Sequence, residues 1–475
     1  MTALARVRDI ALNEALRLWR ERLARTLGTL GLLLVGLALG LGLLRGAQTA
    51  ERQAAYAERA DADWLAQPDR HPHRVVHAGD FVFKAPGPLA GIEWGIESQV
   101  GRSVFLEGHR QNTANFSDAA LSGGLLRLGD LSPSRVVQQW LPLLMLLAGA
   151  AGLAAERERG TLLAALTMGA RGAEFLIGKA LALWAFGLLM AAPVLLALLA
   201  AAIAMPEAAP RAAGMVLTLA AALGLAAAGT VLISAFARDA LSALLLGVVV
   251  WFALAIAAPP TVATLATLLH PAPSQAEVEQ RITAAMAKVG DAHDPDSAHF
   301  AAFREGVLAR YGVQRVEDLP VNFGGLVMLE GERLSSATVA AEVNRQRDAW
   351  AAQQSHVTAA GWLLPMLAIR DAAQAFAGTD LGHHRAFLDQ TEQRRYATVQ
   401  ALNTLHAEEI AALDDRAQRL DATHWATIPR AEIALPPLLH AAPTLGHSLA
   451  AIALWSLLAA LALVGAGHRV ERRAC

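Results

Sequence analysis

The chain has 475 residues, a formal net charge of −2, 55% hydrophobic residues and 17% charged residues. A soluble domain carries roughly 25% charge and phosphate binding needs a basic surplus, so this balance argues against a plain soluble protein and a nucleic-acid partner. The single cysteine, Cys475, leaves no internal disulfide to hold any domain.

In chain order, residues 1–26 read as an amphipathic helix, with Ile10, Leu12, Leu16, Leu18, Trp19 and Leu23 at near-helical spacing among arginines. Such a helix suits a membrane surface or an ordinary juxtamembrane anchor. A helix crosses the hydrocarbon core with about 20 apolar residues. Six stretches qualify: 27–44, 136–155, 180–204, 212–237, 241–258 and 449–467. The fifth is expected to stop at Pro259 and Pro260. The first is read as retained, since no clean A-x-A cleavage site follows Arg45.

Arginine placement orients the spans. Arg6, Arg8, Arg17, Arg20, Arg22 and Arg25 precede the first. Arg157, Arg159, Arg171 and Lys179 lie between the second and third, Arg238 between the fourth and fifth, and Arg469, Arg472 and Arg473 after the sixth. With six alternating spans all of these share one side, which the positive-inside rule makes the cytoplasm. Both termini, including the tail 468–475, are then cytoplasmic in a bacterial inner membrane. Two long segments, 45–135 and 259–448, lie outside.

In the first outside segment, 48–65 should prolong the first span as a helix. Val75-Val76, Phe81–Phe83 and Ser103–Leu106 then read as short β-type runs of a small mixed α/β unit. Ser134 is the expected cap of the second span. The second outside segment reads as mainly helical, with a capping box at Ser274–Glu277 and long helical stretches at 326–357 and 381–413. The apolar run 361–369 is too short to cross and belongs on the membrane surface or in a domain core.

Between the second and third spans, residues 156–179 hold a charged knob: Glu156, Arg157, Glu158, Arg159, Gly160, Thr161, then Arg171 and Lys179. Thr161 is placed to cap a short helix. Such a knob gives a partner register and specificity through charge, and lets it push on two membrane helices at once. A topological anchor needs only the basic residues.

The glutamate followed by Gly160, Thr161 and Leu162, in a six-span order behind an amphipathic leader, resembles ABC permeases of the second export type, the ABC-2 family. That resemblance implies a mostly α, six-transmembrane-helix ABC-2 type permease with two extracytoplasmic insertions, one small mixed α/β and one mainly helical. It implies that Glu156–Thr161 docks on a separate ABC ATPase subunit, which carries the ATP and Mg. It also implies a second permease as dimer partner and the lipid bilayer as the medium. Leu106–His109, Leu131–Pro133, Leu319–Asn322 and Ala377–His384 resemble a subfamily with large extracytoplasmic domains of unassigned function. Glu392–Tyr396 departs from that subfamily's glutamate-tyrosine-arginine pattern.

Two sequence fragments are decoys. Leu121–Gly124 spells the start of an ATPase signature without a Walker A, and Gly172–Lys179 has the wrong spacing for a phosphate loop, with Ala180 where Ser or Thr is required. No nucleotide-binding or catalytic residue is therefore assigned to this chain. His71, His73 and His77 cluster outside, as do His383 and His384, but adjacent histidines on a helix diverge and no zinc motif is present, so no metal is assigned. Gly378, Thr379 and Asp380 fit either a helix–helix turn with caps or, with His383 and His384, an extracytoplasmic contact. Gly36 and Gly40 form a Gly-x-x-x-Gly in the first span, a candidate dimer seam. Besides export, the layout fits a mechanical machine that moves the outside domains without passing a substrate. A membrane-anchored periplasmic enzyme fits poorly, for want of any nucleophile, base and metal set.

Overall fold

The computed structural model describes residues 2–108, 110–114, 131–289 and 297–474. His109, the tetrapeptide 121–124 and Cys475 lie outside the described residues. Of the described residues 79% are helical, and among them six helices are long and apolar enough to cross a membrane.

Helix α1 (Ala3–Arg20) is shorter than the expected 1–26. Glu21 turns extended, and its carboxylate folds back onto Arg17 at 2.6 Å. Helix α2 (Arg22–Leu65) then runs 44 residues without a break, so the first span and the stretch 48–65 form one rod. Helix α3 (Pro72–Val76) replaces the β run expected at Val75-Val76. Pro72 occupies the first turn, where its missing N–H costs nothing, and His71 Nδ1 accepts the His73 N–H at 3.1 Å. The other two β runs form as β1 (Asp80–Phe83) and β2 (Ser103–Leu106), an antiparallel pair with Val82 opposite Val104.

The second span is α4 (Pro133–Glu158). Its cap is Ser132, whose hydroxyl accepts the Arg135 N–H. Ser134, the expected cap, is buried and accepts from the Gln138 amide. After α5 (Thr161–Thr167) come the spans α6 (Gly172–Ala204), α7 (Ala209–Phe236) and α8 (Ala240–Leu269). Pro259 and Pro260 do not stop α8. A π-helical turn at Phe252–Ala257 widens the helix just before them. Pro259 has no N–H for the Ala255 carbonyl, and the Gln139 amide supplies that donor at 3.2 Å. Gln139 lies in a second π-helical turn, Val136–Trp140, and its own carbonyl accepts the Trp251 indole N–H at 2.7 Å.

The remaining helices are α9 (Gln275–Val289), α10 (Ala298–Tyr311), α11 (Phe323–Ala360), α12 (Pro365–Ala377), α13 (Leu381–Glu409) and the last span, α14 (Ala442–Ala474). The capping box forms, with Ser274 and Glu277 bonded in both directions. α11 and α13 pack together around Arg395, which pairs with Glu332 at 2.8 Å and Glu392 at 2.7 Å. The β pair rests on α13 through Val82, Val104, Phe387 and Leu388.

One apolar core joins the spans to α12. Val35, Met145, Met190 and Leu219 share it with Ala368, Ile369, Phe376 and Leu445. Leu367–Ile369 from the short apolar run are therefore core, while Trp362 and Leu363 stay exposed. Arg211 of α7 clamps this joint by donating to the carbonyls of Ala375, Phe376 and Pro436.

Candidate functional site

At the end of the bundle that carries both termini, α4 and α5 meet in a sharp reversal. Gly160 has φ +75, a left-handed conformation that suits glycine, and its N–H donates to the Arg157 carbonyl at 3.2 Å. Thr161 does not cap α5. It is the first helical residue, and its hydroxyl closes the turn by donating to the Glu156 carbonyl at 3.1 Å. Leu162 anchors the knob in a small core with Leu153, Leu176, Val231 and Leu463.

The charges divide by direction. Lys179 is buried and donates to Glu14 Oε2 at 2.7 Å and Glu156 Oε1 at 2.8 Å. Glu14 also takes Arg17 at 2.6 Å. Burial pushes the Glu14 carboxyl up, but Arg17 and Lys179 together outweigh it and hold it below the usual range. Arg6 grips Glu174 with two bonds of 2.7 Å. Arg157 donates to the carbonyls of Ala235, Ala237 and Arg238, which satisfies the end of α7. These pairs tie α1, α4, α6 and α7 into one plate.

The knob's outward face is made of Glu158, Arg159, Gly160, Thr161 and Leu163, with Met168 at 83% exposure and Arg171 beside them. Glu158 accepts the Ala240 N–H at 3.0 Å and so also holds the start of α8. Arg159 has no side-chain partner among the described residues. A groove of about 370 Å³ separates α1 from α5, lined by Arg6, Asp9, Asn13, Glu156 and Met168. Gly172–Lys179, the loose phosphate-loop match, is the first part of a regular helix.

At the opposite end, Gly378 has φ +76 and ends α12, while Asp380 caps α13 by accepting the His383 N–H at 2.8 Å. The turn with caps is the arrangement present, and within it Gly378, Thr379, His383 and His384 are all buried in this chain. The turn is gripped from the first segment, where Lys84 donates to the Gly378 carbonyl at 3.0 Å and to Glu97 at 2.6 Å, and the Ile96 N–H donates to the Thr379 carbonyl. Burial, with Lys84 and Arg347 nearby, pushes His384 down to about 4. Gly36 and Gly40 face outward from α2, with open space where a Cβ would stand.

His73 and His77 meet through their Nε2 atoms at 3.3 Å, but the His71 ring does not join them. His71 instead meets His406 and Asp415, whose ligand atoms all lie within 4.8 Å of one another. The Asp415 carboxylate takes His71 Nε2 and His406 Nε2 at 2.9 Å each, and the Asn322 amide at 2.8 Å. The His73 N–H occupies the His71 Nδ1 lone pair, which leaves the His71 proton on Nε2, aimed at Asp415. In that tautomer the trio is a hydrogen-bonded clamp between α3, α13 and the start of α11, and His71 has no free nitrogen lone pair for a cation. Glu14, Lys84, Arg211, His406 and Asp415 escape sequence reading because their partners lie far away in the chain. Asp415 to His71, for example, spans 344 positions.

Among known families, one described as "ABC-2 family transporter protein" matches residues 10–298, more than half of the chain. A "Domain of unknown function (DUF3526)" matches residues 275–432. No curated protein matches, and no solved structure does.

Proposed function

The chain belongs to the ABC-2 family of transporter proteins and is a membrane permease, and on that premise we propose that it serves an exporter driven by a separate ATPase subunit docked on Glu158–Thr161. A second permease, identical or similar, completes the membrane unit, and ATP and Mg are bound by the ATPase. Both termini and the knob face the cytoplasm across the inner membrane, in keeping with the arginines gathered at that end. The two large insertions then face outward. The observation that carries the reading is the division of charge in the knob. Its rear charges lock four helices together, and its front charges and apolar Leu163 and Met168 are left in the open. A load applied to the front reaches the spans through ion pairs rather than through a loose loop.

The test is co-purification of the cognate ATPase in detergent. Arg159→Glu touches no internal contact, so the six spans stay intact while docking weakens. Loss of an interfacial charge pair of ~2–5 kcal/mol corresponds to at least about 30-fold in affinity. Full ATPase binding by both Arg159→Glu and Glu158→Arg overturns the docking assignment.

A mechanical reading, in which ATP work moves the outside domains without passing a substrate, has one observation of its own. The unbroken α2 links the α1 plate directly to the far domain, where the Trp64 indole donates to the Trp425 carbonyl at 2.9 Å.

A further inference from the structure

The two π-helical turns of α4 and α8 face each other across Gln139 and Trp251, and two adjoining cavities open beside them. π-Helical turns concentrate at functional sites because they break the regular hydrogen-bond ladder. The first cavity, about 40 Å³, lies at the end of the spans away from the knob, and its lining mixes polar with apolar side chains. Arg135, Gln138, Gln139, Arg370, Gln374 and Glu93 line it. The second, about 140 Å³, is apolar and half open, and runs along α7 and α8 toward the knob side past Leu225, Gly229, Ile233, Trp251 and Leu254. Ala255 and Met366 line both cavities, so the two adjoin across these side chains.

The polar mouth carries a surplus of positive charge. The Arg135 guanidinium has no partner among the described residues. Among the described residues Arg370 has only Asp371, at 3.7 Å, and its Nε is buried without a hydrogen bond. Glu93 is the one acid in the lining, and its carboxylate already accepts the Gly95 N–H at 3.0 Å. A mouth of 40 Å³ takes about three or four water-sized groups, at about 10–15 Å³ each, which suits phosphate oxygens and is too small for a sugar. Below it, the slot is lined by side chains with no charge.

We propose that this pair of cavities is a binding site for an anionic phospholipid of the bilayer, with its phosphate between Arg135 and Arg370 and one acyl chain along the α7–α8 slot. The site lies within one copy of the chain, and α12 of the second insertion supplies Arg370, Gln374 and Met366 to it. Charge complementarity selects the headgroup, and the slot selects a chain attached to it. The site is independent of the docking assignment at the knob, whose test reads ATPase binding rather than lipid.

The experiment measures lipid retained by the purified full chain after gel filtration from detergent mixed with labelled phosphatidylglycerol or phosphatidylcholine. Wild type retains phosphatidylglycerol about tenfold over phosphatidylcholine. Arg135→Ala with Arg370→Ala brings the two lipids to the same level. Gly229→Leu, whose added side chain starts in open space, lowers retention of both lipids several-fold while the elution position stays that of wild type. Because Gly229→Leu leaves the mouth untouched, it keeps the slot testable if the double arginine variant fails to fold. Millimolar inorganic phosphate leaves the bound lipid in place. Equal retention of the two lipids by wild type, unchanged retention in Gly229→Leu, or displacement by phosphate alone overturns the proposal. So does disulfide cross-linking of Gly229→Cys between two copies, since a second copy then fills the slot.

Discussion

Replacing Lys179 with Met removes the ammonium from a site where it is 5% exposed and holds two carboxylates. Glu14 keeps Arg17, but Glu156 loses its only side-chain partner among the described residues, and its other oxygen is already buried without one. Breaking a buried pair costs ~3–5 kcal/mol, and the partial exposure of Glu156 puts this case near the lower end. The cost falls on α1, which lies outside the spans and is otherwise held to α6 by Arg6 and Glu174. A loss of ~3 kcal/mol lowers hydrogen-exchange protection of the α1 amides about 100-fold, with the amides of the spans unchanged. The triple variant Lys179→Met, Glu14→Gln, Glu156→Gln restores most of the protection, because no charge is then left buried alone. The assay is exchange followed by mass spectrometry on the purified chain. Unchanged protection of α1 in Lys179→Met, within about twofold, refutes the idea that this ion pair locks the leader helix to the bundle.

Acidification should loosen the large insertion through His384. Its folded pKa of about 4 lies below the unfolded 6.5, so its neutral form gives full stability above pH 6.5, and about 3 kcal/mol is lost as pH falls from 6.5 to 4. His71 shifts in the same direction, so the reading is the difference between wild type and His384→Gln in melting temperature at pH 7 and pH 4.5. An equal acid shift in both proteins removes His384 from the account. For the dimer seam, Gly36→Leu with Gly40→Leu should leave the bundle's melting temperature within a degree or two and abolish inter-copy cross-linking from α2, because both glycines face open space. Undiminished cross-linking excludes the seam.

The apolar runs made all six spans legible, because lipid demands a continuous stretch and tolerates little else. The sequence reading failed where a local rule was overridden by a distant partner. Pro259-Pro260 ends most helices, yet here the freed Ala255 carbonyl is satisfied by Gln139, 116 positions away. Val75 and Val76 favour strands, but Pro72, the His71 cap and burial beside Trp425 make a turn of helix. The knob was visible as charge, whereas the inward or outward aim of each charge depended on Glu14, which reads in sequence as one acid among arginines. The burial of His383 and His384 is not legible locally, because nothing in the neighbouring sequence shows that Lys84 and Glu97 close over the turn they follow.

The length of α2 sets how the two ends of the protein communicate. At 1.5 Å per residue its 44 residues make a rod of about 66 Å. Residues 45–65 project beyond the apolar stretch by about 30 Å at the same rise. The near end packs on the α1 plate through Ala24 and Leu27, and the far end is pinned by Trp64 in a core with Val399, Leu402 and Trp425. A tilt of about 5° at the plate therefore carries the far end by about 6 Å on the same helix geometry. That is more than a packed core absorbs by adjusting side chains, so the far domain has to move with the rod. Arg211 couples α7 to α12 at the joint between spans and domain, and α12 carries Arg370 of the polar mouth. On the proposed docking and lipid site, a push at the knob shifts the α12 wall of the mouth relative to the Arg135 wall on α4, so that work done at one end alters the lipid's grip at the other.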